Sequence, residues 1–207
     1  MVKKVFFKIY KELRKKYGKP KGQWRLWCKR RKSEKEREWV MIEAILAQRT
    51  NWRNVEMAMN NLKKTKLNSL FKIYQQGPKK ISDLIKPTGF YQQKANYLFL
   101  LAKFIIEEYG SLKLMKRERK EVLREKLLKL KGIGPETADS ILLYALDKPV
   151  FVVDEYTKRF IKERKIADNF SYNFLQNLFE KNLKTDFKLY QDFHALFVID
   201  GKRKRKK

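Results

Sequence analysis

The chain has one cysteine, Cys28, and one histidine, His194, among its 207 residues. A lone cysteine closes no disulfide within the chain and builds no all-cysteine metal site. A reducing interior is the expected setting. The single histidine, near an apolar C-terminal helix, reads as structural. Long apolar runs are also missing. No segment approaches the ~20 consecutive apolar residues of a membrane span. The opening MVKKVFFKIYKELRKKYG has no uninterrupted apolar core and no small-residue cleavage site, so it does not read as a secretory signal. Acidic residues are scarce as well: 23 Asp and Glu face 51 Lys and Arg, a net charge of +28. A heat-adapted surface of paired charges would carry balanced signs, and this one does not. What is present points elsewhere. Hydrophobic residues make up 43% and aromatics 14%, enough for a packed interior and too much for a disordered basic tail. A folded chain with this excess of cations repels itself unless it meets a polyanion. Nucleic acid ranks first, an anionic membrane surface second.

The apolar pattern is helical almost throughout. Phe6, Ile9, Tyr10, Leu13 and Tyr17 recur at helical spacing. Residues 39–47 read as a buried helix with Trp39 in its core, and Asn51 as the cap of the next, running to about Leu62. Further helices are expected near 68–76, 78–86, 91–109, 116–130, 135–147, 155–164, 171–182 and 186–199. Gly77-Pro78, Pro87-Thr88-Gly89 and Gly132-Ile133-Gly134 are the breaks between them. Only residues 149–153, PVFVV, have strand composition, and they are too few for a sheet; an extended connector is the better reading. The final GKRKRKK is a run of like charge, expected to be unfolded by itself.

Two stretches carry chemistry. In LKGIGPETAD, Gly132 and Gly134 permit a positive φ or a close backbone approach, and Pro135 suits the first turn of a helix. Two helices joined in this way present backbone amides and a positive helix end, with Lys131 beside them. That is a site for a phosphate, and it grips a backbone without reading sequence. An ordinary glycine turn between helices is the plainer alternative. In FVVDEYTKRF, Asp154 opens a helix after an apolar run. It reads as an N-cap, a role worth ~1 kcal/mol. A carboxylate held at a helix N-terminus also stays ionised. Near a sugar it could stabilise positive charge and orient a water, as carboxylates do in glycoside hydrolysis.

Together these stretches, LKGIGPETADSILLYALDKPVFVVDEYTKRF, resemble the helix-hairpin-helix, Gly/Pro-rich loop and aspartate motif of the endonuclease III-like (HhH-GPD) DNA glycosylases. The resemblance extends over most of the chain. ILAQRT, residues 45–50, is similar to the family's helix end bearing a gap-filling glutamine, which makes Gln48 the gap filler. PTGFYQQKA, residues 87–95, is similar to its wedge segment, which makes Phe90 the wedge. Asp154 becomes the catalytic aspartate. The subgroup resembled is the one that includes a 3-methyladenine glycosylase. The resemblance implies an all-α fold of two helical lobes with a DNA-binding cleft between them and Asp154 at its mouth. One lobe spans 30–148, with the hairpin at about 116–147. The other joins 1–29 to 149–200, and 201–207 form a basic tail. DNA contacts are expected from Lys131, Gly132, Ile133, Gly134, Glu136, Thr137, Gln48, Phe90 and Lys94, of which Lys94 would touch phosphate or the hairpin.

Two departures shape the functional expectation. Bifunctional relatives carry a lysine nucleophile two positions after the second hairpin glycine; here that position is Glu136, and an acid forms no imine. Many relatives end in a four-cysteine iron–sulfur loop, and FHALFVIDGKRKRKK holds no cysteine. The implied protein is a monofunctional glycosylase of base excision repair without a catalytic cofactor or iron–sulfur cluster. It leaves room for one structural monovalent cation among the hairpin carbonyls. It would flip the base out, at about a few kcal/mol, and hydrolyse its glycosidic bond. Trp24, Trp27, Glu43 and Trp52 are the candidates for the base pocket, where aromatic walls would favour a cationic alkylated purine. Uracil or thymine mismatches and oxidised bases remain open, as do residual lyase action from another lysine and a non-catalytic DNA-binding module. The expected partner is duplex DNA with a damaged base and not a membrane. The expected state is a monomer in the cytoplasm, at the nucleoid.

Overall fold

The computed structural model describes residues 2–204; of the C-terminal run, 205–207 lie outside the described residues. Twelve α-helices and no strand occur among them. The chain divides into two compact units, Arg31–Ile141 and Met1–Arg30 with Leu142–Lys207.

In chain order the helices are α1 (Val2–Tyr17), α2 (Trp24–Trp27), α3 (Glu34–Leu46), α4 (Trp52–Lys64), α5 (Leu70–Ser82) and α6 (Tyr91–Tyr109). There follow α7 (Leu112–Met115), α8 (Lys120–Leu128), α9 (Pro135–Ser140), α10 (Glu155–Glu163), α11 (Tyr172–Asn182) and α12 (Phe187–Lys204). Short polar residues set most of the starts in the unit Arg31–Ile141. Ser33 and Glu36 form a reciprocal capping box on α3, and the Asn51, Ser69 and Ser111 side chains each accept an amide of the helix they open. Gly77, at φ 72°, kinks α5 just before Pro78, where the sequence predicts two helices. Gly110, at φ 68°, ends α6. The helix expected over 116–130 is the shorter α8, which starts only after Arg119, whose backbone is extended (ψ 143°); α7 lies before residue 116. The apolar sides of α3, α4 and α6, through Ile42, Ile45, Val55, Leu98 and Leu101, supply the core.

The other unit is built on aromatics. Phe151 stacks on Phe179 (centroids 4.1 Å apart, planes at 7°), Phe193 on Phe197 (4.6 Å), and Phe6 packs against Phe179. The connector before α10 is extended, as its composition suggests, and buried. Its polar backbone is met by side chains instead of a neighbouring strand. Gln176 Nε2 donates to the Phe151 carbonyl (2.8 Å), and the Phe151 amide donates to Glu180 Oε1 (2.7 Å). The basic tail departs from expectation. Residues 201–204 continue α12 as helix, because buried Asp200 accepts from Tyr17 Oη (2.6 Å) and Lys16 Nζ (3.1 Å) and pairs with Lys204. Lys204 also reaches Glu163 at 2.7 Å. Those carboxylates offset the self-repulsion of the basic run.

Candidate active site and DNA-binding hairpin

The turn between α8 and α9 shows why glycine stands at 132. Gly132 sits at φ 85°, and a Cβ there would be driven into the Tyr97 ring. Gly134 has a different role: its backbone is extended (φ −88°, ψ 179°), and the space a Cβ would take is open. Of the positive φ or close approach that glycine permits, Gly132 shows both and Gly134 neither. Pro135 takes the first helical position. The first backbone bond of α9 runs from the Ala138 amide to the Gly134 carbonyl, so the amides of the preceding turn lie outside the helical ladder. Lys131, Gly134 and Glu136 are exposed and Thr137 is half-buried. Ile133 is only 4% exposed and its amide bonds the Leu130 carbonyl, so this residue anchors the turn and its side chain offers nothing to a ligand. Below the turn, buried Asp139 holds Arg124 at 2.7 and 3.1 Å in a two-point pair.

A cavity of about 630 Å³ opens beside the hairpin, lined by Gln48, Arg49, Phe90, Lys94, Tyr97 and Gly132 among others. Phe90 is 59% exposed and left-handed (φ 47°) after Gly89 (φ 65°), an arrangement that holds a large apolar ring in water. Lys94 is not a phosphate contact. It is 2% exposed, and its ammonium donates to the carbonyls of Leu46 (2.9 Å) and Thr88 (2.8 Å). Burial lowers its pKa to about 8. One buried cation thus ties the end of α3 to the loop that presents Phe90. Gln48 is half-buried, and its amide nitrogen donates to the Gly132 carbonyl (2.9 Å) and Thr137 Oγ1 (3.1 Å).

In the unit carrying Asp154, the sequence reading of an N-cap is met: Oδ1 accepts the Thr157 amide at 2.7 Å. The carboxylate is 8% exposed. Its second oxygen faces His194 Nε2 at 3.5 Å. His194 Nδ1 lies 2.7 Å from Tyr144 Oη, which lies 3.1 Å from the Gln191 carbonyl. A carbonyl only accepts, so the phenol proton serves Gln191 and Nδ1–H serves the phenol oxygen. Nε2, facing the carboxylate at 3.5 Å, makes no hydrogen bond among the described residues. Burial pushes the Asp154 pKa up, but His194 opposite it and the Thr157 amide hydrogen bond outweigh that and hold it below the ordinary 3.8. Tyr144 is raised well above the usual phenol value, chiefly by burial, and stays a neutral donor. The sequence reads His194 as structural; its approach to Asp154 is not legible there because 40 residues separate the two along the chain. Lys202 was missed for another reason: it falls in the tail expected to be unfolded. It donates to Gln23 Oε1 (2.8 Å); burial lowers its pKa while Asp154 opposes that shift.

The four candidate pocket residues separate. Trp24 and Trp27 belong with Asp154, and Glu43 and Trp52 belong to the unit Arg31–Ile141. Trp24 (5% exposed) and Trp27 (7%) meet edge to face and pack on Tyr144, with Trp24 also against His194. They support the Asp154 network as packed walls. Glu43 is buried in α3, and Trp52 is half-buried with its indole N–H on Glu56 (3.0 Å). Trp39, expected in a helix core, is half-buried, with its N–H on the Asn68 carbonyl and Lys63 over its ring.

The profile described as HhH-GPD superfamily base excision DNA repair protein matches residues 42–185. A protein of Methanocaldococcus jannaschii named as a DNA repair glycosylase is 43% identical over 202 residues, 96% of this chain and 88% of its own. The crystal structure of an H. pylori 3-methyladenine DNA glycosylase bound to 1,N6-ethenoadenine superposes with a TM-score of 0.82 and 30% identity, over 96% of this chain and 98% of that one. A non-covalent endonuclease III–DNA complex shares the fold at a TM-score of 0.73 and 16% identity, with all of both chains covered. From the hairpin through the buried aspartate cap, and over most of its length, the chain belongs to the HhH-GPD superfamily of base excision DNA repair proteins.

Proposed function

We propose that this DNA glycosylase is monofunctional and releases alkylated purines by hydrolysis. The observation that carries the reading is a pair of residues. The chain keeps a buried, ionised Asp154 while the hairpin position of a lysine nucleophile is Glu136. Without that amine no imine forms there, and water is left to attack C1′. The C1′–N bond breaks with its electron pair leaving on the base, the sugar develops oxocarbenium character, and Asp154 stabilises that charge and orients the water. The product is free base and an unbroken abasic strand. A purine alkylated on a ring nitrogen is already cationic and leaves without a strong general acid. The similarity to a 3-methyladenine glycosylase at 30% identity supports that class. The hairpin amides and Lys131 grip phosphate. Chemistry proceeds without a metal, and a monovalent cation at the hairpin has a structural role only.

Incubation with methylated duplex DNA, followed by chromatography for free base and gel analysis of the strand, tests this. The wild type should release base, leave the strand intact and resist chelators. Asp154→Asn should lose at least about 100-fold in rate and still bind. Full rate in the Asn variant removes Asp154 from the mechanism. A covalent adduct trapped by borohydride overturns the monofunctional assignment, and binding without base release makes the protein a DNA-binding module.

A further inference from the structure

Family likeness assigns Gln48 to the gap left by a flipped base, but the geometry of residues 47–50 gives that place to its neighbour. The Gly132 carbonyl can only accept, so the Gln48 amide nitrogen must face it, and the other N–H of that amide goes to Thr137 Oγ1. Both of its donors are therefore spent on the hairpin. Arg49 differs on every count. It is exposed and has the left-handed backbone (φ 49°) that throws a side chain clear of a helix end. It lines the same cavity as Phe90. The described residues give its guanidinium no hydrogen bond or ion pair. The turn beneath it is fixed from two sides, by Gln48 on the hairpin and by Lys94 on the Leu46 carbonyl.

We infer that Arg49 is the residue that enters the duplex and binds the base opposite the lesion, and that Gln48 and Lys94 are positioning residues that lock the turn carrying it. The inference rests on the glycosylase reading above. A guanidinium suits this role because it keeps its charge, presents five donors in one plane and stacks on base faces. An unpaired pyrimidine offers carbonyl oxygens, with a ring nitrogen as well in cytosine, for that fork. Phe90, left-handed and exposed like Arg49, would part the stack beside it.

Equilibrium binding to two duplexes tests this, one undamaged and one with a stable abasic analogue opposite cytosine. The wild type should prefer the abasic duplex. Arg49→Ala should lose about tenfold of that preference, as expected for a lost base contact, with little change on undamaged DNA. Arg49→Lys should recover only part of it. Thermal melting confirms that each variant folds. If Arg49→Ala keeps the preference and Gln48→Ala loses it, the inference is overturned in favour of the glutamine. If Arg49→Ala weakens both duplexes equally and the salt slope falls by about one, Arg49 is a phosphate contact and the inference fails. A wild type with no preference for the abasic duplex refutes the glycosylase reading itself, which separates the two failures.

Discussion

At the scale of single residues, Asp154 combines a helix cap with the role proposed for it in the chemistry. Its first oxygen caps α10 through the Thr157 amide, and its second faces His194. The cap was legible in the sequence, since an aspartate after an apolar run and before a helical pattern is a start signal. The histidine was not, because nothing along the chain links positions 154 and 194. Burial raises the Asp154 pKa, so the lowering depends on its partners, the His194 charge first. His194→Gln should therefore move the acid limb of the pH–rate profile to higher pH, and a limb that stays in place rules the imidazole out of the site. For stability, the sign follows from a depressed carboxylate. Asp154 contributes above the ordinary 3.8, and the contribution is lost as pH falls through its lower folded value. The glutamine variant should lose that acid-range contribution.

At the scale of elements, α12 is the segment in which local pattern and tertiary context disagree. Charge alone predicts that the run after Asp200 stays unfolded, yet Gly201–Lys204 continue the helix. Asp200 is 3% exposed and gathers Tyr17, Lys16 and Lys204, whose hydrogen bonds hold its pKa below 3.8 against the opposing effect of burial. Asp200→Asn should destabilise the protein by about 1–3 kcal/mol at neutral pH, because Tyr17, Lys16 and Lys204 lose a buried, charged acceptor. The difference from wild type should shrink as pH falls below 3.8 and the native aspartate protonates. Melting curves across pH check both statements; a constant difference would mean the asparagine acts through packing alone. The hairpin element was read correctly from GIGP, but the division of labour between its glycines was not. It depends on Tyr97, 35 residues earlier, which closes the space at Gly132 and leaves Gly134 open.

At the scale of the whole molecule, the net charge of +28 governs how DNA is met. If about five phosphates are neutralised, the association constant should fall as roughly the fourth to fifth power of salt concentration. Titrations between low and moderate salt measure the slope, and a nearly flat dependence would separate the charge from DNA binding. Not every cation contributes. Lys94 is buried, and Lys126, Lys204 and Arg124 are held by Glu108, Glu163 and Asp139. Counting lysines therefore overstates the footprint.

The sequence by itself determined the helical class, the hairpin, the buried connector and the aspartate that ends it. Each rests on short-range chemistry: periodic apolar residues, a cap, a proline that suits one turn and a glycine that breaks another. It also determined that Glu136 stands at the motif position where the resembled bifunctional members carry lysine, since identity at one position is enough. Only the tertiary structure decided which side chains are already spent. Lys94 is drawn inside by two carbonyls, Gln48 is bound to the hairpin, Trp24 and Trp27 are packed on Tyr144, and His194 is brought to Asp154. These outcomes depend on partners 6 to 120 residues away, and a contact made at such a distance leaves no periodic mark on either segment.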